Sequence, residues 1–309
     1  MPVLSIRHLT TYRYRTRVGF GEHRVMYRPL EGHDQRVLSA ELTVSPDPAA
    51  VRQIYDVSGN NVTVTRFQTR SDRLVFESRV RLEHRPQPAF ADGDGDSERL
   101  WPGRTFTYDP IDMADLATSI ARRFPDAEGD VAAWAQRFVR PAGTTSLGRL
   151  LSDMTHAIRG ELAYGVRLDG HPQAPEETLA LGRGSCRDFA VLMIEACRSL
   201  GLAARFTSGY IYSGSQKAGR TGGGHTHAWA RVYLPSRGWV EFDPTNGIVG
   251  NTDLVRVAVA SDPRQALPLY GTWAGKPGDY LGMDVTVDVS AEAEPMAQPV
   301  PRLRVAQGA

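Results

Sequence analysis

Cysteine is scarce: the 309 residues hold only Cys186 and Cys197. The 11 positions between them correspond to about 16 Å of rise on one helix, too far for a disulfide. No disulfide scaffold is expected, and the usage fits a reducing compartment. No run of about 18 apolar residues is present, so no membrane-spanning helix is read. The opening Met-Pro-Val-Leu-Ser-Ile-Arg-His lacks the basic and apolar regions of a secretory signal. Together these absences give the expectation of a cytoplasmic protein. Charge of neither sign dominates, since the formal net charge is +1. Nothing therefore pulls the chain as a whole toward nucleic acid or an anionic membrane. The glycine-rich stretch 213–224 has neither GxxxxGK[ST] nor GxGxxG order, which argues against a phosphate cradle and leaves a mobile loop beside a cleft. There is no paired CxxC and no internal repeat.

The composition present, 41% hydrophobic and 23% charged, suits a globular chain with one large core or two smaller ones. Residues 1–90 read as strands over Ser5–Tyr14, Arg36–Val44, Val51–Tyr55, Asn61–Phe67 and Leu74–Leu82. Turn residues separate them at Asp47-Pro48, Ser58-Gly59-Asn60 and Ser71-Asp72. One apolar and one wet face predict an antiparallel β-sandwich-like or barrel-like domain. The alternating Asp92, Asp94 and Asp96 copy the first half of a calcium loop. Ser97 at its sixth position and Gly103 at its twelfth break the pattern, so an exposed acidic turn is expected.

From Asp112 the period changes to that of helices, over 112–124, 129–138 and 147–162. Gly182 and Gly184 then deliver Cys186 to a segment in which Phe189, Met193, Cys197 and Leu200 recur at three- and four-residue intervals. That spacing predicts a helix packed on one side, stopped at Gly201. Cys186 falls in its first turn, where backbone N–H groups and the helix dipole favour a thiolate. Cys197 is expected in the core. Strands follow over 203–212, 225–234 and 239–242, and an alternating segment at 283–289 invites a place in the N-terminal sheet. The last residues, 291–309, are expected to be a disordered tail. The domains read as 1–100, 101–262 and a strand segment at 263–290.

Thiol chemistry needs a base within reach of the sulfur and a partner that orients the base. Cys186 supplies the sulfur. His225 and His227 are the candidate bases, with His227 preferred for its place within a strand, and Asp243 at the end of the next strand is the orienting group. The oxyanion would fall to backbone N–H groups near Cys186; Trp101 is a weak side-chain candidate, read first as an interdomain core residue. Asp188 is expected to cap backbone or to pair with Arg183 or Arg205. The same Cys186, His225, His227 and Asp243 could instead hold zinc, although one cysteine remote from the histidines is a poor zinc signature.

Four blocks in order, Cys186-Arg187-Asp188-Phe189-Ala190, Ala204 to Tyr210, His227-Ala228-Trp229, and Gly238-Trp239 with Phe242 to Gly247, resemble the bacterial transglutaminase-like superfamily. Thr11 to Tyr14, His23 to Pro29 and Asp56 to Asn60 resemble the β-rich domain that precedes that core. The resemblance implies an α+β fold with a papain-like transglutaminase core and a Cys-His-Asp triad on Cys186, His227 and Asp243. Its members include transglutaminases, peptidases, amidases and noncatalytic relatives. Arg187 stands where close relatives carry glutamine, and Thr226 where they carry serine. Arg187 is expected to make the site mouth more receptive to carboxylates. The function implied is hydrolysis or acyl transfer on amide bonds of peptides or protein glutamines, through an acyl-thioester. The alternatives are a noncatalytic binding or assembly module of the same fold, and a zinc-dependent hydrolase. A peptide or protein substrate is expected, with no nucleic-acid or membrane partner; a homo-oligomer is compatible with the sequence.

Overall fold

The computed structural model describes residues 2–86, 98–167, 170–214 and 220–292. The acidic turn at 91–98, apart from its last residue, and the tail from 293 onward lie outside the described residues. The fold is α+β, with a curled antiparallel half-barrel at the N-terminus and a mixed α/β core behind it.

The half-barrel is built on one strand, β1 (Val3–Val25), much longer than the predicted Ser5–Tyr14. Its first half pairs with β5 (Ser71–His84) and with the strand Tyr280–Ala291. Register shifts near Arg13 to Val18 and between Phe20 and His23 then bend it. Its second half pairs with β4 (Asn61–Arg66) and with Leu269–Ala274. Bulges add twist and turn a strand, and here they carry one strand from one wall of the half-barrel to the other. β2 (Gln35–Ser45) and β3 (Ala50–Tyr55) complete the sheet at its two edges. The alternating segment at 283–289 lies in the strand beside β1, in register Tyr12 to Met283 and Thr10 to Val285.

The core sheet runs in the order Ile248–Val249, Gly238–Asp243, His227–Leu234, Ala204–Ile211, Leu254–Ala260, all antiparallel. Leu254–Ala260 is a strand that period reading misses. It is buried at every position and so does not alternate. Helices α1 (Pro110–Ile120), α2 (Asp130–Gln136), α3 (Leu147–Glu161), α4 (Pro175–Leu181) and α5 (Cys186–Ser199) surround it. Helix α1 begins earlier than expected: Asp109 is its N-cap, accepting from Ile111 N at 3.0 Å, and Pro110 takes the first turn.

Helix α5 is central. Its residues 188–198 are all buried, so it is enclosed on every side and not on one, as its spacing had suggested. Phe189, Leu192 and Met193 join Ala228, Ala230 and Val232 of the sheet, with Trp134 of α2 and Leu150 of α3 in the same apolar cluster. Enclosure forces Glu195 and Arg198 to pair with each other, at 2.7 Å.

A buried polar cluster ties the half-barrel to the core sheet. The Arg256 guanidinium grips both oxygens of Asp34, at 2.9 and 3.0 Å, and also bonds Glu241 at 2.8 Å. Asn60 adds two bonds to the backbone of Val259, at 2.7 and 2.8 Å.

Candidate active site

Cys186 is the first residue of α5, and its position is fixed by the residues on either side. Ser185 caps the helix, and Asp188, fully buried, accepts from both the Ser185 N–H and its hydroxyl at 2.8 Å. The first of these bonds satisfies a backbone donor that the helix start leaves open. The other Asp188 oxygen accepts from Arg167 at 2.5 Å and from Gln173 N at 2.7 Å. Asp188 thus caps backbone as expected, but its arginine is Arg167, supplied by the preceding loop, and not Arg183 or Arg205. Arg205 instead lies over the Trp239 ring, 4.3 Å from its centroid.

Arg187 also lines the site. It donates to the carbonyls of Gly170 at 2.9 Å and Arg167 at 2.7 Å.

His227 opens its strand and is buried, and its Nε2 donates to Asp243 Oδ2 at 2.8 Å. Asp243 is also enclosed. Its oxygens accept from Thr245 N at 2.9 Å and Asn246 Nδ2 at 2.8 Å. Asn246 in turn bonds both the N–H and the carbonyl of Thr221, at 2.9 and 3.0 Å. Asn246 is a support that residue-type reasoning missed, although it lies within the quoted Asp-Pro-Thr-Asn-Gly run.

With Nε2 taken by Asp243, Nδ1 is the ring nitrogen left for Cys186. The sulfur is near enough to act on the ring's titration, yet Nδ1 has no hydrogen bond of ordinary geometry. Burial lowers the His227 pKa. The Asp243 carboxylate and the Cys186 sulfur outweigh it and raise the pKa to about 10. Burial works against ionised Asp243 too, but His227, Asn246 and the Thr245 N–H hold its pKa below the usual value. The arrangement can hold an imidazolium beside the Cys186 sulfur. Cys197 is fully buried mid-helix, and burial pushes its thiol pKa far up.

Gly222 sits over the ring. A Cβ there would lie 2.7 Å from His227 Nδ1, and its φ of +90° is one that side-chain-bearing residues rarely adopt. Gly222 therefore serves the site by staying out of the histidine's way.

Cys186, His227 and Tyr164 line one side of a cavity of about 350 Å³, and Thr10, Tyr12 and Met283 of the half-barrel line another. His225 lines it too, just before the strand, with its buried Nδ1 unpartnered among the described residues. Trp101 is 57% exposed and does not line the cavity, so it is neither the interdomain core residue nor the oxyanion donor considered from sequence. Among the described residues, no three His, Cys, Asp or Glu side chains gather in an arrangement that could hold a metal. No described helix is long and apolar enough to cross a membrane.

Residues 4–83 match the bacterial transglutaminase-like N-terminal region, and residues 132–244 match the transglutaminase-like superfamily core. An uncharacterized protein of Mycobacterium leprae is 32% identical over 133 residues, covering 43% of this chain and 46% of that relative. The chain thus matches about half the length of that relative. An uncharacterized protein of Mycobacterium tuberculosis is 27% identical over 296 residues, covering 92% of this chain and 91% of its own. Among solved structures, the "Putative Cysteine Protease from Cytophaga hutchinsonii" shares the fold at a TM-score of 0.68 and 16% identity. That alignment covers 95% of this chain and 92% of the other. The expected cytoplasmic location is corrected: the structural matches include the periplasmic domain of TgpA from Pseudomonas aeruginosa, at 13% identity, a TM-score of 0.36, and 77% and 87% coverage. Scarce cysteine and the composition of the opening residues do not establish a compartment, and none is assigned. From its two matched regions and its shared architecture, the chain belongs to the transglutaminase-like superfamily, with an N-terminal β domain and a papain-like core.

Proposed function

We propose that the protein is a thiol-dependent hydrolase or acyltransferase acting on amide bonds of peptides or protein glutamines. Cys186 is the nucleophile, His227 the base and Asp243 the orienting group. The observation that carries this reading is the fixed order sulfur, imidazole, buried carboxylate, with the sulfur at the N-terminus of α5.

His227 takes the thiol proton, and the imidazolium is supported by Asp243. The thiolate adds to the carbonyl carbon, and the C=O pair moves to oxygen, facing N–H groups of the first turn of α5. Collapse breaks the C–N bond, and the leaving amine takes the proton from His227. The acyl-thioester left on Cys186 is resolved by water or by a second amine. Water is always present and no residue marks an amine site, so hydrolysis is the expected assay outcome.

The test is a panel of peptide and glutamine-amide substrates with mass detection, run against Cys186→Ala. A mass gain of one water on cleavage marks hydrolysis, and loss of ammonia with gain of an amine marks transfer. Turnover equal in the variant would overturn the reading. Selective alkylation is the companion measurement: iodoacetamide at neutral pH should label Cys186 and spare enclosed Cys197. In a noncatalytic module Cys186 would react no faster than an ordinary accessible thiol.

A further inference from the structure

We propose that the Tyr164 hydroxyl is the side-chain donor to the oxyanion formed at Cys186; the inference rests on the thiol reading above. Sequence reasoning found no such donor. The strand Ala163–Tyr164 pairs in parallel with Arg183–Gly184, placing Tyr164 opposite Gly184. Gly165 N then donates to Gly184 O at 2.9 Å. This pairing fixes Tyr164 beside the two residues that lead into Ser185 and Cys186. Its ring meets Phe189, three residues into the helix from Cys186, at 6.3 Å between centroids and 65° between planes. The side chain is half-buried and lines the cavity that holds Cys186 and His227.

The hydroxyl has no hydrogen-bond partner among the described residues. Here the group is unpaired within the described protein, and its residue lines the cavity that a carbonyl must enter to meet the sulfur. Burial, then the negative charge near Cys186 and Asp243, pushes its pKa up to about 12, so it remains a donor at working pH. In the step itself the sulfur lone pair forms the C–S bond and the carbonyl π pair becomes the O⁻. Tyr164 donates a hydrogen bond to that oxygen and keeps its proton. On collapse the C=O reforms and the amine leaves with the proton from His227.

Two reagents separate this role from others. p-Nitrophenyl acetate acylates a thiolate through an oxyanion; iodoacetamide alkylates by displacement at a saturated carbon and forms none. Tyr164→Phe keeps the ring against Phe189 and removes only the O–H. It should lower acetylation of Cys186 about a hundredfold, the usual effect of removing one oxyanion donor, and leave the iodoacetamide rate unchanged. Equal acetylation rates in wild type and variant would overturn the proposal. So would a fall in both rates together, which marks a misplaced cysteine. If the wild type itself releases nitrophenolate no faster than Cys186→Ala, the thiol reading fails, and this inference with it.

Discussion

Asp243 accepts a 2.8 Å hydrogen bond from His227, and neither side chain reaches solvent. Each holds the other's charge against burial, and the two titrate in opposite senses. The raised His227 pKa contributes stability that is full below 6.5 and lost as pH climbs through about 10. The lowered Asp243 pKa contributes stability present above 3.8 and lost as acid protonates it.

Asp243→Asn should therefore cost most in mildly acidic solution and progressively less toward alkaline pH. Thermal unfolding of both proteins from about pH 5 to about pH 10 checks this. A gap that widens with rising pH would contradict the pairing. Amide cleavage should fall roughly ten-thousandfold, as when the orienting carboxylate of a comparable triad is neutralised.

Gly222→Ala should cripple the site without unfolding the protein. The added methyl meets His227 Nδ1 at 2.7 Å, and the backbone is left in a conformation that costs about 1–2 kcal/mol. Displacing the imidazole by a fraction of an ångström should lower turnover about a hundredfold. Turnover and denaturant midpoint, measured on the same preparation, separate the two effects.

Asp188→Ala removes the acceptor for Ser185, Gln173 and Arg167 together. The expected loss is about 3 kcal/mol by urea denaturation, toward the low end for breaking a buried pair because Arg167 is partly exposed. Proteolysis should quicken in the 167–173 loop, since Asp188 anchors it.

Asp34 links the half-barrel to the core through Arg256. Burial opposes its ionised form, but the Arg256 hydrogen bonds and charge outweigh that and bring its pKa to about 2. Its contribution is present above 3.8 and lost as pH falls through about 2. Asp34→Asn should be less stable than wild type at neutral pH, with the difference shrinking in acid. Urea midpoints measured down to about pH 2 test it. An unchanged difference across that range would remove Asp34 from the link.

The local periods of the chain determined much of this protein. Spacing placed a helix with Cys186 in its first turn and a stop at Gly201, and alternation found Leu74–Leu82 and the segment at 283–289, because both patterns are properties of neighbouring residues. Residue types nominated Cys186, His225 or His227, and Asp243, and place within a strand favoured His227. Tertiary structure decided what depends on segments far apart in the chain. Alternation ended the first strand at Tyr14, yet β1 runs on through Gly19 and Gly21: the neighbouring strand passes so close that a Cβ at Gly21 would strike Thr272. Enclosure of α5 on all sides, and of Leu254–Ala260 on both faces, left no alternation by which the sequence could report it. Arg167 on Asp188, Gly222 over His227 and Tyr164 beside Gly184 are likewise meetings of distant segments. Periodicity tells which way a side chain faces; only packing tells what it faces.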